Sequence, residues 1–168
     1  MDSLSINDHL KLQPISRSFS KEIFTHFSSD IVRYLLVEKP PEAITDTEAF
    51  IDLSVSQLKK GTDIVWVILH QQEFIGCCGI HNIPSRKPHF GLWIKKEAQG
   101  RGFGSSVTEY CMKWAVKTLD IDYIRYPVDI HNKPSIAVIE KLTPTIHGSY
   151  KMGEGKVLEV NEYRLYRE

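Results

Sequence analysis

Cysteine is scarce: the chain has three, Cys77, Cys78 and Cys111. An odd number cannot close a disulfide framework, and no C-x-x-C spacing points to zinc. Cys77 and Cys78 are adjacent in an apolar, strand-like run, so they should face opposite sides. All three read as reduced, buried thiols. An excess of one charge is also missing. Lys plus Arg and Asp plus Glu number 21 each, and the net charge is zero. That argues against a dedicated nucleic-acid binder, which carries a basic excess. No apolar run approaches the roughly 18 residues of a membrane span. Met1-Asp2-Ser3-Leu4 lacks the charged and apolar regions of a secretory leader. The expectation is a cytoplasmic protein with neither membrane nor nucleic acid as partner. There is no repeat, linker or low-complexity stretch, so residues 1–168 read as one domain.

Turns and periodicity divide the chain. Leu10 to Ile15 reads as a first strand. Ser18 is positioned to cap a helix from Phe19 to Phe27. Ile31 to Val37 fits helix or strand, and Pro40-Pro41 ends it. Thr45 or Thr47 then caps a helix running to Lys60, closed by Gly61. Ile64 to Leu69 and Phe74 to Ile80 form a hairpin. Phe90 to Lys95 is a strand and Ser105 to Leu119 a helix with Val107, Cys111, Trp114 and Ala115 inward. Tyr123 to Ile130 is the next strand, so strand, helix and strand should make a right-handed parallel crossover. Asn132 opens a helix through Leu142. The tail ends in strands over His147 to Met152 and Glu159 to Arg167, with Tyr163 and Tyr166 as core aromatics. The fold class is α/β or α+β, a mixed sheet with helices on both faces.

Chemistry concentrates at Gln99-Gly100-Arg101-Gly102-Phe103-Gly104. Three glycines in six residues let the backbone approach a ligand closely. The amides of the following helical turn have no partners inside the helix. A strand, a glycine turn and a helix N-terminus together suit an anion, most naturally a pyrophosphate. The glycines are two apart, so they do not fit the G-x-G-x-x-G dinucleotide pattern. Gly104-Ser105-Ser106 lacks the lysine of a P-loop. The pattern that fits is Gln/Arg-x-x-Gly-x-Gly/Ala, on Gln99, Gly102 and Gly104.

A second motif follows the crossover strand. Asn132-Lys133-Pro134-Ser135 leads into Ile136 to Leu142, with Glu140-Lys141-Leu142 at its end. An Asn cap with Pro in the first turn is by itself a common helix start. Together, in this order and spacing, the two motifs resemble the acyl-CoA loop and the N-x-x-S…E-K-L signature of the GNAT N-acetyltransferase superfamily. The resemblance covers nearly the whole chain. It is nearest to the branch of the ribosomal-protein (Rim-type) N-terminal acetyltransferases. The chain departs from that pattern at Lys96, at Ala98 and at Thr143-Pro144, all outside the phosphate loop.

The resemblance implies a mostly antiparallel sheet with a splayed parallel strand pair, and acetyl-CoA as cosubstrate. Its pyrophosphate would lie on the amides of Gln99, Gly100, Arg101, Gly102, Phe103 and Gly104, with Ser105 at the helix start. Arg101 can add a charge-assisted contact. The pantetheine arm would pair with Leu92, Trp93 and Ile94, and with Asn132. Pro127 suits an unpaired strand edge. The Ile94 N–H would face the carbonyl oxygen of the thioester, and Ser135 the sulfur. The general base is drawn from Asp129, His131, His81 and His89, with His81 and Asp129 preferred. The acceptor, a small-molecule amine or a protein N-terminus, should sit between the N-terminal helices and the final hairpin. Glu38, Glu42, Asp46, Glu48 and Asp52 hint at a cationic acceptor there. A homodimer is compatible with the resemblance. A silent acyl-CoA-binding regulator and a nucleotide-phosphate enzyme are the alternatives at this stage.

Overall fold

A computed structural model describes residues 1–168. In chain order it contains β1 (Leu4–Ser5), β2 (Leu10–Pro14), α1 (Ser20–His26), α2 (Ser29–Val32), α3 (Ile44–Lys60), β3 (Ile64–His70) and β4 (Glu73–His81). There follow β5 (His89–Ile94), α4 (Phe103–Thr118), β6 (Tyr123–Asp129), α5 (Lys133–Leu142), β7 (Ile146–Met152) and β8 (Leu158–Tyr166). One eight-stranded sheet has the order β1-β2-β3-β4-β5-β6-β8-β7. Every neighbouring pair is antiparallel except β5 with β6. Those two meet at a single position, His89 opposite Arg125, and then separate. This is the splayed parallel pair.

The sheet is covered on both faces. β3 is apolar from Ile64 to Leu69, a run that is buried on both faces of the sheet. Trp66 and Ile68 point into a core with Phe90, Met112, Ile124 and Tyr163, under α4 and α5. Val65, Val67 and Leu69 point the other way, to Ile23 of α1 and Ile51 of α3. Cys78 belongs to the first cluster and Cys77 to the second. All three thiols are free and buried. Burial pushes the Cys77 and Cys78 thiols well above the ordinary thiol range, so both are inert at neutral pH.

The β3–β4 hairpin carries two local features. Its loop, Gln71-Gln72, has both residues left-handed, at φ 49° and 69°, as a tight type I′ turn requires. Ile68 pairs with Gly76 while Leu69 pairs with Phe74, so Ile75 is an extra, bulged residue. Gly76 is needed there: a Cβ on it would lie 2.1 Å from the Trp93 carbonyl oxygen.

Helix starts differ from expectation. Ser18 caps nothing; its hydroxyl meets the Ser16 hydroxyl at 2.7 Å, and α1 begins at Ser20 after a 3-10 turn. Residues 29–32 form the short α2, followed by turns where a longer element was open. Neither Thr45 nor Thr47 caps α3. Its first residue is Ile44, and the Asp46 carboxylate accepts the Ala43 N–H at 3.2 Å. Ala43 has no acceptor to return, so only half of a capping box forms. Gly61 ends α3 in the left-handed conformation, φ 72°. Tyr163 is fully buried, but Tyr166 is 46% exposed, its ring tilted against Tyr123 with centroids 5.1 Å apart at the sheet end. It is therefore not a core residue.

Candidate active site

The splay between β5 and β6 leaves backbone groups unused. Lys95 donates its N–H to Ile75 O on the β4 side. Strand alternation then turns the Leu92 and Ile94 amides the other way, into the gap. Pro127 stands on β6 facing the same opening and pairs only with Glu162 of β8.

Beside the gap, the glycine turn is shaped by its backbone. Gly100 and Gly102 have φ of 76° and 84°, a region that other residues adopt only under strain. A Cβ at either would meet nothing within 4 Å, so the space in front of the loop is open. Gly104 is in ordinary helical backbone, and a Cβ there would touch only Leu92 Cδ1 at 3.8 Å. Its lack of a side chain matters for what comes close. The Gln99 side chain donates to Ile94 O at 2.8 Å and ties the loop to the end of β5. α4 starts at Phe103, directly after Gly102, so its free amides face the opening.

Two cavities meet at this point. The first, about 500 Å3, is lined by Leu92, Trp93 and Ile94, by Gln99, Gly100, Gly102, Phe103, Gly104 and Ser105, and by Asn132 and Ser135. Arg101 does not line it: its guanidinium lies over the Phe103 ring at 4.9 Å. Asn132 caps α5, its Oδ1 accepting the Ser135 N–H at 3.3 Å, which leaves its NH2 group for a ligand. Ser135 Oγ is 2.5 Å from the Tyr126 hydroxyl. Tyr126 is buried, and burial raises its phenol above the ordinary value, partly offset by the Ser135 hydrogen bond. It therefore keeps its proton and can donate to Ser135.

The second cavity, about 330 Å3, lies on the opposite face of β5, under the loop after α2 and beside β7 and β8. Tyr34, Leu35, Leu92 and Trp93 wall both cavities. The second holds His81, His89 and Asp129. His81 Nδ1 lies 2.9 Å from Asp63 Oδ2. A carboxylate only accepts, so Nδ1 carries a proton, and in the uncharged ring the lone pair is on Nε2. That nitrogen lies over Gly79, where a Cβ would come within 2.7 Å of it. The His81 and His89 rings are 5.1 Å apart. Burial, then the charges of His81 and Arg125, lower His89 to about 4, against an opposing pull from Asp63. His89 is thus neutral at physiological pH. Asp129 is buried, and its Oδ1 accepts both the backbone N–H and the Nδ1–H of His131. β6 ends at Asp129, so His131 sits in the turn with an exposed ring and not on the strand face.

Further along this face, Glu162 is buried between Arg125, Arg164 and Tyr150. Burial pushes its carboxyl up, but the hydrogen bonds and the two guanidinium charges outweigh that and hold it below the usual range. This ionised group fixes the sheet end.

Of the acidic residues before and within α3, Glu38 follows the cavity residue Val37 and lays its carboxylate over Gly155, and the other four are engaged elsewhere. Glu48 and Asp52 bind Arg17, Glu42 binds Lys39, and Asp46 binds backbone. Tyr126 and Asp63 had no motif to betray them. Asp63 lies opposite His81 only because of the bulge at Ile75.

Residues 9–143 match the family model described as "Acetyltransferase (GNAT) domain". A Bacillus subtilis (strain 168) chain named "Putative ribosomal N-acetyltransferase YdaF" is 24% identical over 148 residues, 84% of this chain and 81% of that one. The structure of the RimL ribosomal L7/L12 alpha-N-protein acetyltransferase in complex with coenzyme A superposes with a TM-score of 0.87 at 18% identity, covering 98% of this chain and 97% of the other. A spermidine N-acetyltransferase from Vibrio cholerae in complex with CoA and spermine gives 0.79 at 19% identity, covering 96% and 97%.

Proposed function

The chain belongs to the GNAT acetyltransferase family, and from that premise we propose the residues that bind acetyl-CoA and move its acetyl group to an amine. The observation that carries the reading is the junction of the two cavities at Leu92 and Trp93. A thioester held in the first would present its carbonyl to a nucleophile in the second. Solved relatives of the same fold carry CoA, which supports the choice of cosubstrate.

The diphosphate lies on the amides from Gln99 to Ser105, at the N-terminus of α4. Arg101 can swing from Phe103 to a phosphate. The pantetheine arm takes the place of a strand against Leu92 and Ile94, with the Asn132 NH2 group on an amide carbonyl. The amine nitrogen attacks the thioester carbon and the C–S bond breaks. Negative charge on the carbonyl oxygen during attack is met by the Ile94 N–H. The ammonium proton passes through intervening water to His81 Nε2, because Gly79, beneath that nitrogen, pairs with Gly91, three residues before Ile94; Asp63 holds the ring and its tautomer, and the second proton, lost as the amide forms, goes to solvent. Asp129 balances the ammonium form of the acceptor as it enters. The leaving thiolate receives a hydrogen bond from Ser135 Oγ–H, which in turn accepts from Tyr126. A serine hydroxyl is too weak an acid to give up its proton fully, so this pair stabilises the charge on sulfur until solvent protonates it.

Gly102→Glu tests the cofactor site. The left-handed backbone strains the new residue, and its bulk and charge occupy the space of the phosphates. Calorimetry should find no acetyl-CoA binding in a variant whose melting curve still shows a folded protein. Undiminished affinity would remove the glycine loop from the reading.

A further inference from the structure

The second cavity has little with which to hold a highly charged body. Its only carboxylate is Asp129, and its only imidazoles are His81 and His89. His81 is tied to Asp63, and Asp129 supplies one carboxylate whose Oδ1 is already bonded to His131. The rest of the wall is largely apolar and includes Phe27, Leu35, Trp93, Met152 and Val160. The apolar surface continues to the rim: Leu36, Val37 and Phe50 line the cavity and are still 43%, 41% and 47% exposed. Four of the five acids that the sequence offers for a polycation are engaged elsewhere, on Arg17, Lys39 and the start of α3, and the fifth, Glu38, lays its carboxylate over Gly155 in the turn between β7 and β8.

We propose that the acceptor is a primary monoamine carried on an apolar or aromatic body. This rests on the acetyltransferase reading of the same site. One ammonium matches the one carboxylate, Asp129. A second ammonium further along the acceptor would lie against apolar walls with no partner, and burying an unpaired charge is strongly unfavourable. An arylalkyl group, or an apolar first residue of a peptide, instead covers Trp93, Met152 and Phe50 as it leaves water. Both are sources of the same chemistry. The contrast is with the spermidine acetyltransferase that shares the fold.

The test is thiol release from saturating acetyl-CoA with three acceptors: 2-phenylethylamine, a phenylalanine-first tripeptide amide and spermidine. We expect kcat/KM for 2-phenylethylamine or the peptide to exceed that for spermidine by at least about a hundredfold. Preference for the free amine assigns a small molecule, and preference for the peptide assigns a protein N-terminus. Spermidine turned over as well as either one would overturn the acceptor class and leave the acetyltransferase reading intact. No transfer to any of them, with acetyl-CoA still bound, would overturn both. Leu36→Asp, on the exposed rim, adds a carboxylate where the body should lie. It should shift the ratio at least about fivefold toward spermidine by charge pairing. An unchanged ratio would mean that the body does not lie in this cavity.

Discussion

Replacing His81 by Ala should convert a nearly pH-independent reaction into one that depends steeply on pH. A primary amine with a pKa near 10 is free to about one part in a thousand at pH 7. Without a base to take its proton, attack relies on that fraction. A positioned general base contributes about 10²–10⁴-fold. The His81 position, on the wall of the second cavity with Nε2 over Gly79 and Nδ1 fixed at 2.9 Å by Asp63, suits such a base acting through water. We expect His81→Ala to lower kcat/KM by about 10²–10³-fold at pH 7, equivalent to roughly 3–4 kcal/mol of transition-state stabilisation. The deficit should shrink about tenfold per pH unit up to pH 9, as the free amine becomes available. Acetyl-CoA affinity should be unchanged, because His81 lines the other cavity. Asp63→Asn should give a smaller loss, about 10–10²-fold, because its amide can donate to Nδ1 and favour the wrong tautomer. The assay is thiol release with 2-phenylethylamine as acceptor over pH 7–9 under kcat/KM conditions, since a peptide α-amine of pKa about 8 is already largely free there. Parallel pH profiles in wild type and His81→Ala would refute the assignment, as would an equal loss of acetyl-CoA binding.

Other perturbations have separate signatures. Ser135→Ala should reduce kcat by about tenfold or more, while acetyl-CoA affinity, read by calorimetry, changes little; Tyr126→Phe should have a weaker effect of the same kind. Unaltered kcat in both variants would take the pair out of the mechanism. Gly76→Ala should destabilise the protein by about 1–3 kcal/mol in urea unfolding, since the added methyl group meets the Trp93 carbonyl oxygen at the bulge. Full stability would contradict the close approach of β4 and β5. His89 has a folded pKa of about 4 against an ordinary 6.5, so the unfolded chain binds the proton first as pH falls. Its contribution is nil above pH 6.5, becomes destabilising between pH 6.5 and 4, and then levels off. Wild type should lose roughly 2–3 kcal/mol more than His89→Gln between pH 7 and 4.5. Equal losses in denaturant unfolding would show that His89 is not buried neutral.

Much of the site was legible because it is written locally. The loop from Gln99 to Gly104 needs left-handed glycines and a helix start, and both are short-range demands. Asn132 and Ser135 likewise sit in one helical turn, and their cap forms as read. The splay was foreshadowed by Pro127, which cannot donate to a ladder. Asp63 was hidden by a register detail. Without the bulged Ile75, Asp63 would pair with Ile80 and lie on the other face of the sheet from His81. The acids before and within α3 misled for a related reason: Arg17, more than 30 residues away in sequence, folds back onto Glu48 and Asp52. Tyr126 looked like one more strand aromatic. Its meeting with Ser135 depends on how α5 docks on β6, which no local pattern records.

We propose that an acetyl group leaves CoA for an amine at the junction of the two cavities. The most direct measurement follows CoA thiol release and acetylated product, by mass spectrometry, in one reaction with acetyl-CoA and 2-phenylethylamine. We expect one acetylated amine per thiol released, with Gly102→Glu silent on both counts. Acetyl-CoA binding without either product, across free amines and peptides alike, would contradict it.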